Sequence, residues 1–427
     1  MTGHVRRREL LIRAASAGVA AALPLPALAQ VTGARVVVVG GGFAGATCAR
    51  TLKRLDPRLA VAMVEVNPTR VFIACPFSNE VVVGLRELEA QQFRYDKLAS
   101  EGIALNFSGA KSVDPQTRTV TLGDTAKLAY DRLVLAPGID FRWDALPGYS
   151  EAAAKNMPHA WKAGPQTLLL RHQLEAMRDG GVVVIAVPAN PYRCPPGPYE
   201  RASLIAHYLK TKKPKSKLLI LDAKDTFSKQ KLFQKGWVAL YPDLIEWVAL
   251  SAGGKVTAVD ATAMILTTDF ATHKADVANV IPAQKAGQIA ELTGVADRTG
   301  WCPIDPVSFA STLQPNIHVI GDAAIAGAMP KSAFAANAQA KVCAAAVAVL
   351  LADGTPLPPR LINTCYSLVA PDYGISIAGV YHPVDGKLVD VEGAGGTSPL
   401  DAPAESRVLE ANLAAGWFRT ITGEVFG

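Results

Sequence analysis

Ala34 to Val39 is a short β-branched run with no polar alternation, the pattern of a strand covered on both faces in a parallel sheet. It passes through Gly40–Gly45 into ATCARTLKRL, which carries a helical pattern, and LAVAMVEV then makes a second apolar run around Glu65. The same order returns further on: Gly181–Val187 reads as a strand, YERASLIAHYLK as a helix and KLLILDAKD as the next strand. Tyr130–Leu135 and Asn316–Ile320 are two more strand-like runs, each ending in small residues. Strand, turn, helix and strand, met twice, predict an α/β fold of two Rossmann-like dinucleotide-binding domains. From about residue 345 an Ala-rich helix gives way to a Pro- and Gly-rich stretch reaching about 405, expected to form a strand-rich C-terminal α+β interface domain. The predicted division is 31–150 with 270–345, 151–269, and 346–427.

Composition narrows the class. The 427 residues are 50% hydrophobic and 19% charged, which excludes a disordered, collagenous or disulfide-stapled miniature protein. The net charge is +6, from 43 Lys and Arg against 37 Asp and Glu. Residues 1–29 hold four of those arginines and one glutamate, leaving 39 against 36, too little for a nucleic-acid footprint. That leader runs from Arg6-Arg7-Arg8 through an apolar stretch to Ala27-Leu28-Ala29 and looks like a twin-arginine export signal. Export after folding implies a cofactor loaded in the cytoplasm, a periplasmic mature protein and no membrane span once the leader is cleaved.

Gly40-Gly41-Gly42-Phe43-Ala44-Gly45 is G-x-G-x-x-G between a strand and a helix. Gly40 makes the turn, Gly42 lets backbone N–H groups approach a pyrophosphate, and Gly45 lets helix pack on strand. Glu65, 20 residues after Gly45, is placed to accept from an adenosine ribose. The segments ending in Ala136-Pro137-Gly138 and in Gly321-Asp322 resemble the second and third FAD signatures of disulfide-reductase-like flavoproteins, with their glutathione-reductase-like fold. In that resemblance Asp322 holds the ribityl or pyrophosphate region. The second unit departs from the pattern. Its loop Pro188–Pro198 has one Gly and five Pro where a nicotinamide domain carries its fingerprint, so the NAD(P)H site is expected to be lost. The basic run Lys210–Lys217 reads as a solvated loop.

Of six cysteines, Cys48 and Cys343 lie on helical patterns and read as core, and Cys302 as structural. Cys75, Cys194 and Cys365 each stand beside turn residues. No C-x-x-C or His/Cys metal spacing occurs, so zinc, an iron–sulfur cluster or a haem of the chain's own is not expected. Arg193 is a candidate for favouring a thiolate at Cys194. Glu200 reads equally as a proton carrier or as a solvated acid stabilising a first helical turn.

With CPFSNEVVVG, PYRCPPGPYERAS, FSKQKLFQKGW, GWCPID, HVIGDA and NTCYS all present, the chain resembles the flavoprotein subunit of flavocytochrome c sulfide dehydrogenase over essentially its whole length. The resemblance implies FAD linked covalently through Cys75, a redox-active disulfide between Cys194 and Cys365, and proton movement by Glu200. It also implies oxidation of sulfide to sulfur or polysulfide, with electrons leaving to a separate c-type cytochrome subunit that carries the haem, in a heterodimer. Three other readings use the same residues: an accessory flavoprotein acting on thiol or persulfide substrates, an NADH-linked disulfide or coenzyme A reductase, and a non-catalytic flavin-bearing assembly subunit. The proline loop argues against the second, and the presence of both Cys194 and Cys365 against the third.

Overall fold

A computed structural model describes residues 33–427, so the leader expected to direct export lies outside the described residues. Residues from Ala34 onward form one compact unit. Its first sheet is five-stranded and all parallel, in the order Ile317–Val319, Arg132–Leu135, Arg35–Val39, Ala60–Val64, Ala104–Asn106. Val36, Val37 and Val38 are at most 2% exposed, as a strand covered on both faces requires. The second sheet is also parallel, in the order Ile245–Val248, Lys217–Asp222, Val182–Val187, Val277–Val280. Each sheet has an antiparallel three-stranded meander beside it in sequence, Ala110–Ala129 and Val256–Lys274. Two doubly wound units are thus present, as the apolar runs predict.

The C-terminal region holds a long antiparallel pair, Leu361–Ala370 with Tyr373–Val384, and a 23-residue helix, Ala404–Phe426. That helix was not expected from the Gly- and Pro-rich pattern before it. Its end carries Phe426 into an aromatic cluster with Phe72 (ring centroids 5.1 Å apart), Phe93 (5.3 Å) and Phe43 (5.8 Å), next to the glycine loop. The Ala-rich helix runs from Ala333 to Leu351, so it continues through the boundary expected at 345. By length and composition it is apolar enough to cross a membrane, yet half of it is buried against the glycine-loop helix and the Cys365 strand.

The run Lys210–Lys217 is largely exposed, as a solvated segment should be, but it is not all loop and one of its lysines is buried. The helix Gly197–Lys212 extends into it, and buried Lys213 donates to the carbonyls of Glu175 (2.8 Å) and Met177. Lys210 and Lys217 donate to Leu240 O (2.8 Å) and Asp243 O (2.6 Å). Ammonium groups here satisfy carbonyls that end neighbouring elements, a job a basic sequence alone does not reveal.

Candidate active site

Two constellations form the site. At the first, strand Arg35–Val39 turns through Gly40 (φ +105°) into helix Phe43–Leu55. A Cβ on Gly40 would stand 2.2 Å from Ala136 O, and one on Gly45 1.8 Å from Gly40 O, so both backbones approach as only glycine allows. Gly42 precedes the helix with no side-chain cap, leaving the first N–H groups for an anionic ligand. Glu65 follows its strand and accepts from the N–H of Gly41 at 2.6 Å and of Val66 at 2.8 Å. Gly321 (φ +75°) comes against the same helix: a Cβ there would touch that of Ala44 at 3.0 Å. Its N–H donates to Gln339 Oε1 at 2.8 Å, and Asp322 follows it. Gly138, also at positive φ (+64°), has open space where a Cβ would point.

The second constellation gathers the three turn-side cysteines. Cys75 Sγ lies 3.2 Å from Trp161 O and accepts from Arg193 Nη2 at 3.2 Å. The same guanidinium donates to Trp161 O and stands 3.9 Å from Asp322 Oδ2. Arg193 therefore serves Cys75 and Asp322 directly, and its charge also favours a thiolate at Cys194, as expected, though burial opposes it more strongly. Cys194 has φ +58°, and its N–H donates to Lys331 O at 2.8 Å. Burial pushes its thiol well above the usual range, and a charge on Cys365 adds to the effect. Both are thiols in this structure.

Glu200 joins the segments. It lies in the first turn of helix Gly197–Lys212; Oε1 accepts from Leu368 N–H on the Cys365 strand at 2.9 Å, and Oε2 from Asn79 Nδ2 in the helix after Cys75 at 2.8 Å. Burial raises its pKa, opposed by those two hydrogen bonds. It is not a solvated helix-start acid. Arg201, one residue on, is 2% exposed and holds the other side of the same wall: Nε donates to Asn79 Oδ1 (2.9 Å), Nη1 to Asn279 Oδ1 (2.9 Å) and His159 O (3.1 Å), Nη2 to Ala160 O (2.6 Å).

The comparisons bear on this arrangement. Residues 167–282 match the family described as sulfide dehydrogenase [flavocytochrome c] flavoprotein chain, central, and residues 357–426 match flavocytochrome c sulphide dehydrogenase, flavin-binding. Residues 34–178 match pyridine nucleotide-disulphide oxidoreductase. Over 47 residues the chain is 57% identical to the sulfide dehydrogenase [flavocytochrome c] flavoprotein chain of Chlorobaculum thiosulfatiphilum, 11% of this chain and 94% of that sequence. This chain belongs to the flavocytochrome c sulfide dehydrogenase flavoprotein family. The mouse mitochondrial sulfide:quinone oxidoreductase is 23% identical over 308 residues, 67% of this chain and 65% of that one. The crystal structure of sulfide:quinone oxidoreductase from Aquifex aeolicus shares the fold, with TM-score 0.72 at 17% identity over 92% of each chain.

The residues present in this sulfide dehydrogenase-type flavoprotein fit FAD. Asp322 Oδ1, Trp161 Nε1, Gln284 Nε2 and Tyr95 OH are buried with no protein partner. Buried polar atoms are nearly always satisfied, so these one acceptor and three donors suit a polar ligand. Gly40, Gly42, Gly45 and the Phe43 helix start would hold its pyrophosphate, Glu65 a ribose, and Asp322 the ribityl region, with Ala136, Gly138 and Gly321 giving the backbone room. Cys48 and Cys343 are fully buried, as core residues should be. Cys302 is likewise buried, and desolvation raises its pKa to about 12, in keeping with a structural role. Sequence reasoning assigned no role to Asn79, Trp161, Arg201, Gln284 or Lys229. Arg201 had a signal, a charged residue at the head of the largely apolar ASLIAHYL run in the same helix; the others had none.

Proposed function

We propose that this chain is a periplasmic, FAD-dependent sulfide dehydrogenase subunit that oxidises sulfide to sulfur or polysulfide and passes electrons to a separate c-type cytochrome. The observation that carries the reading is that Arg193, next to Cys194, joins Cys75 to Asp322 while Glu200 ties the segment after Cys75 to the Cys365 strand, so residues from segments nearly 300 positions apart gather at one half-buried site beside the glycine-loop cradle. In this reading HS⁻ attacks one sulfur of a Cys194–Cys365 disulfide; that S–S bond breaks, a persulfide S–S bond forms, and the partner cysteine leaves as thiolate. FAD, when bound, supplies a two-electron acceptor. The persulfide sheds its outer sulfur as zero-valent sulfur and leaves a thiol; the thiol–thiolate pair then gives two electrons to that acceptor and one proton as its S–S bond re-forms, so each HS⁻ yields one zero-valent sulfur, one proton and two electrons. Glu200, held by Asn79 and Leu368, receives that proton. Cys75, beside the Arg193 guanidinium, is the residue for a covalent link to FAD.

Anaerobic titration tests this: flavin absorbance should bleach with stoichiometric sulfide and not with NADH, and Cys194→Ser or Cys365→Ser should abolish the bleaching. Bleaching by NADH alone would refute it. Reoxidation by a c-type cytochrome is expected; reoxidation by a soluble quinone instead would place the acceptor with the sulfide:quinone relatives.

A further inference from the structure

Lys229 is a buried cation that the mechanism above leaves unused. It precedes helix Gln230–Leu240 with φ +62°, a left-handed conformation that costs a non-glycine residue about 1 kcal/mol or more. Its side chain is 7% exposed and runs to the Cys365 strand, where Nζ donates to Cys365 O at 2.9 Å and Ser367 Oγ at 2.8 Å. Among the described residues it makes no salt bridge. A buried ammonium without an ion pair is costly unless a negative charge arises beside it. The groups facing it are Cys365 on the strand, Cys194 in the proline loop, Glu200 on helix Gly197–Lys212 and Glu410 on the C-terminal helix. Glu200 is already hydrogen-bonded to Leu368 and Asn79, and Glu410 to Ser376 and Ser398. The two cysteines are the groups that gain charge when a disulfide opens, and Lys229 is anchored on the strand of Cys365.

We propose that Lys229 is the counter-charge of the cysteine pair, holding the negative charge of its reduced form on the Cys365 sulfur rather than on Cys194. The inference rests on the reading of Cys194 and Cys365 as a redox pair. The asymmetry has a geometric basis: the cation nearest Cys194 in sequence, Arg193, points its guanidinium at Cys75 and Asp322, whereas Lys229 is anchored on the Cys365 backbone itself. Burial raises both thiols; at Cys365 the next-largest influence is Lys229, which opposes it, whereas at Cys194 the opposing charge of Arg193 is the smallest of the influences acting. When HS⁻ opens the disulfide, the anionic sulfur on the Cys365 side, thiolate or persulfide, is stabilised where it forms. Lys229 acts through the field it places on that sulfur and is a positioning residue.

The test uses the full flavin-loaded chain, reduced with a phosphine, with iodoacetamide alkylation of each cysteine followed by peptide mass spectrometry as a function of pH. Cys365 should alkylate with an inflection at lower pH than Cys194. Lys229→Met should move the Cys365 inflection upward and slow its alkylation at pH 7 about ten-fold, the effect of a one-unit shift, while leaving the Cys194 profile in place. Lys229→Arg should retain the low inflection. Lys229→Gln, which can keep the bond to Ser367 without the charge, should behave as the Met variant does and covers the case in which the latter fails to fold. Unchanged Cys365 profiles in the neutral variants would overturn the proposal, as would an inflection at Cys194 below that of Cys365. Failure of sulfide to bleach the wild-type flavin would sink the redox-pair reading separately, since alkylation does not depend on turnover.

Discussion

Replacing Arg201 by methionine removes a buried fork while keeping most of its apolar stem. Four acceptors lose a donor: Asn79 Oδ1, Asn279 Oδ1, His159 O and Ala160 O. His159 O keeps a second donor, Asn279 Nδ2 at 2.8 Å, but the other three have no replacement. A buried acceptor left unpaired costs about 1–3 kcal/mol, so the low end gives about 3 kcal/mol of lost stability. The guanidinium also lies 5.0 Å over the Trp161 ring, a contact that methionine only partly reproduces. With a urea slope near 3 kcal/mol per molar, the unfolding midpoint should fall by about 1 M, read by tryptophan fluorescence. Arg201→Lys, with three donors and no planar fork, should lie between wild type and the Met variant. A midpoint shift under about 0.3 M for Arg201→Met would show that the fork does not organise this wall. The same substitution frees Asn79, which holds Glu200, so it should also lower the rate of flavin reduction by sulfide.

Glu200 provides a pH test. Its native pKa is raised by burial, so the native state binds its proton more tightly than the unfolded chain and loses stability as pH climbs from the ordinary carboxylate range through the raised native value. Glu200→Gln should flatten that part of the stability–pH curve and slow flavin reduction by about 10²-fold or more; an unchanged slope would refute the buried-carboxylate assignment. Gly45→Ala puts a Cβ 1.8 Å from a backbone oxygen that no rotamer can relieve, so the protein should be recovered with little flavin, measured by absorbance ratio, and normal loading would contradict the cradle. Cys75→Ala should release FAD to the supernatant on acid precipitation, whereas flavin remaining with the precipitate would place the link elsewhere.

The sequence alone determined the doubly wound halves and the FAD cradle. Unbroken β-branched runs such as Val36–Val39 can only be buried strands, and G-x-G-x-x-G followed by Glu65 carries its own geometry, since glycine's missing Cβ is a local property. The separation of Cys75, Cys194 and Cys365 from the three core cysteines was also legible, because turn residues beside a cysteine are local signals. Tertiary structure decided the rest, since it depends on which distant segments meet. Glu200 read equally as a proton carrier or a solvated first-turn acid until Leu368 and Asn79 closed on it. Arg193 was a candidate for easing ionisation of its sequence neighbour, and only the fold shows that its long side chain also reaches Cys75, 118 positions away. Lys213 read as a solvated charge and Lys229 drew no reading at all, because hydropathy prices a lysine by type, while burial is set by carbonyls supplied from Met177 and Cys365. Side-chain charge is written in the sequence, but the field acting on it is the sum over neighbours that only the folded chain brings together.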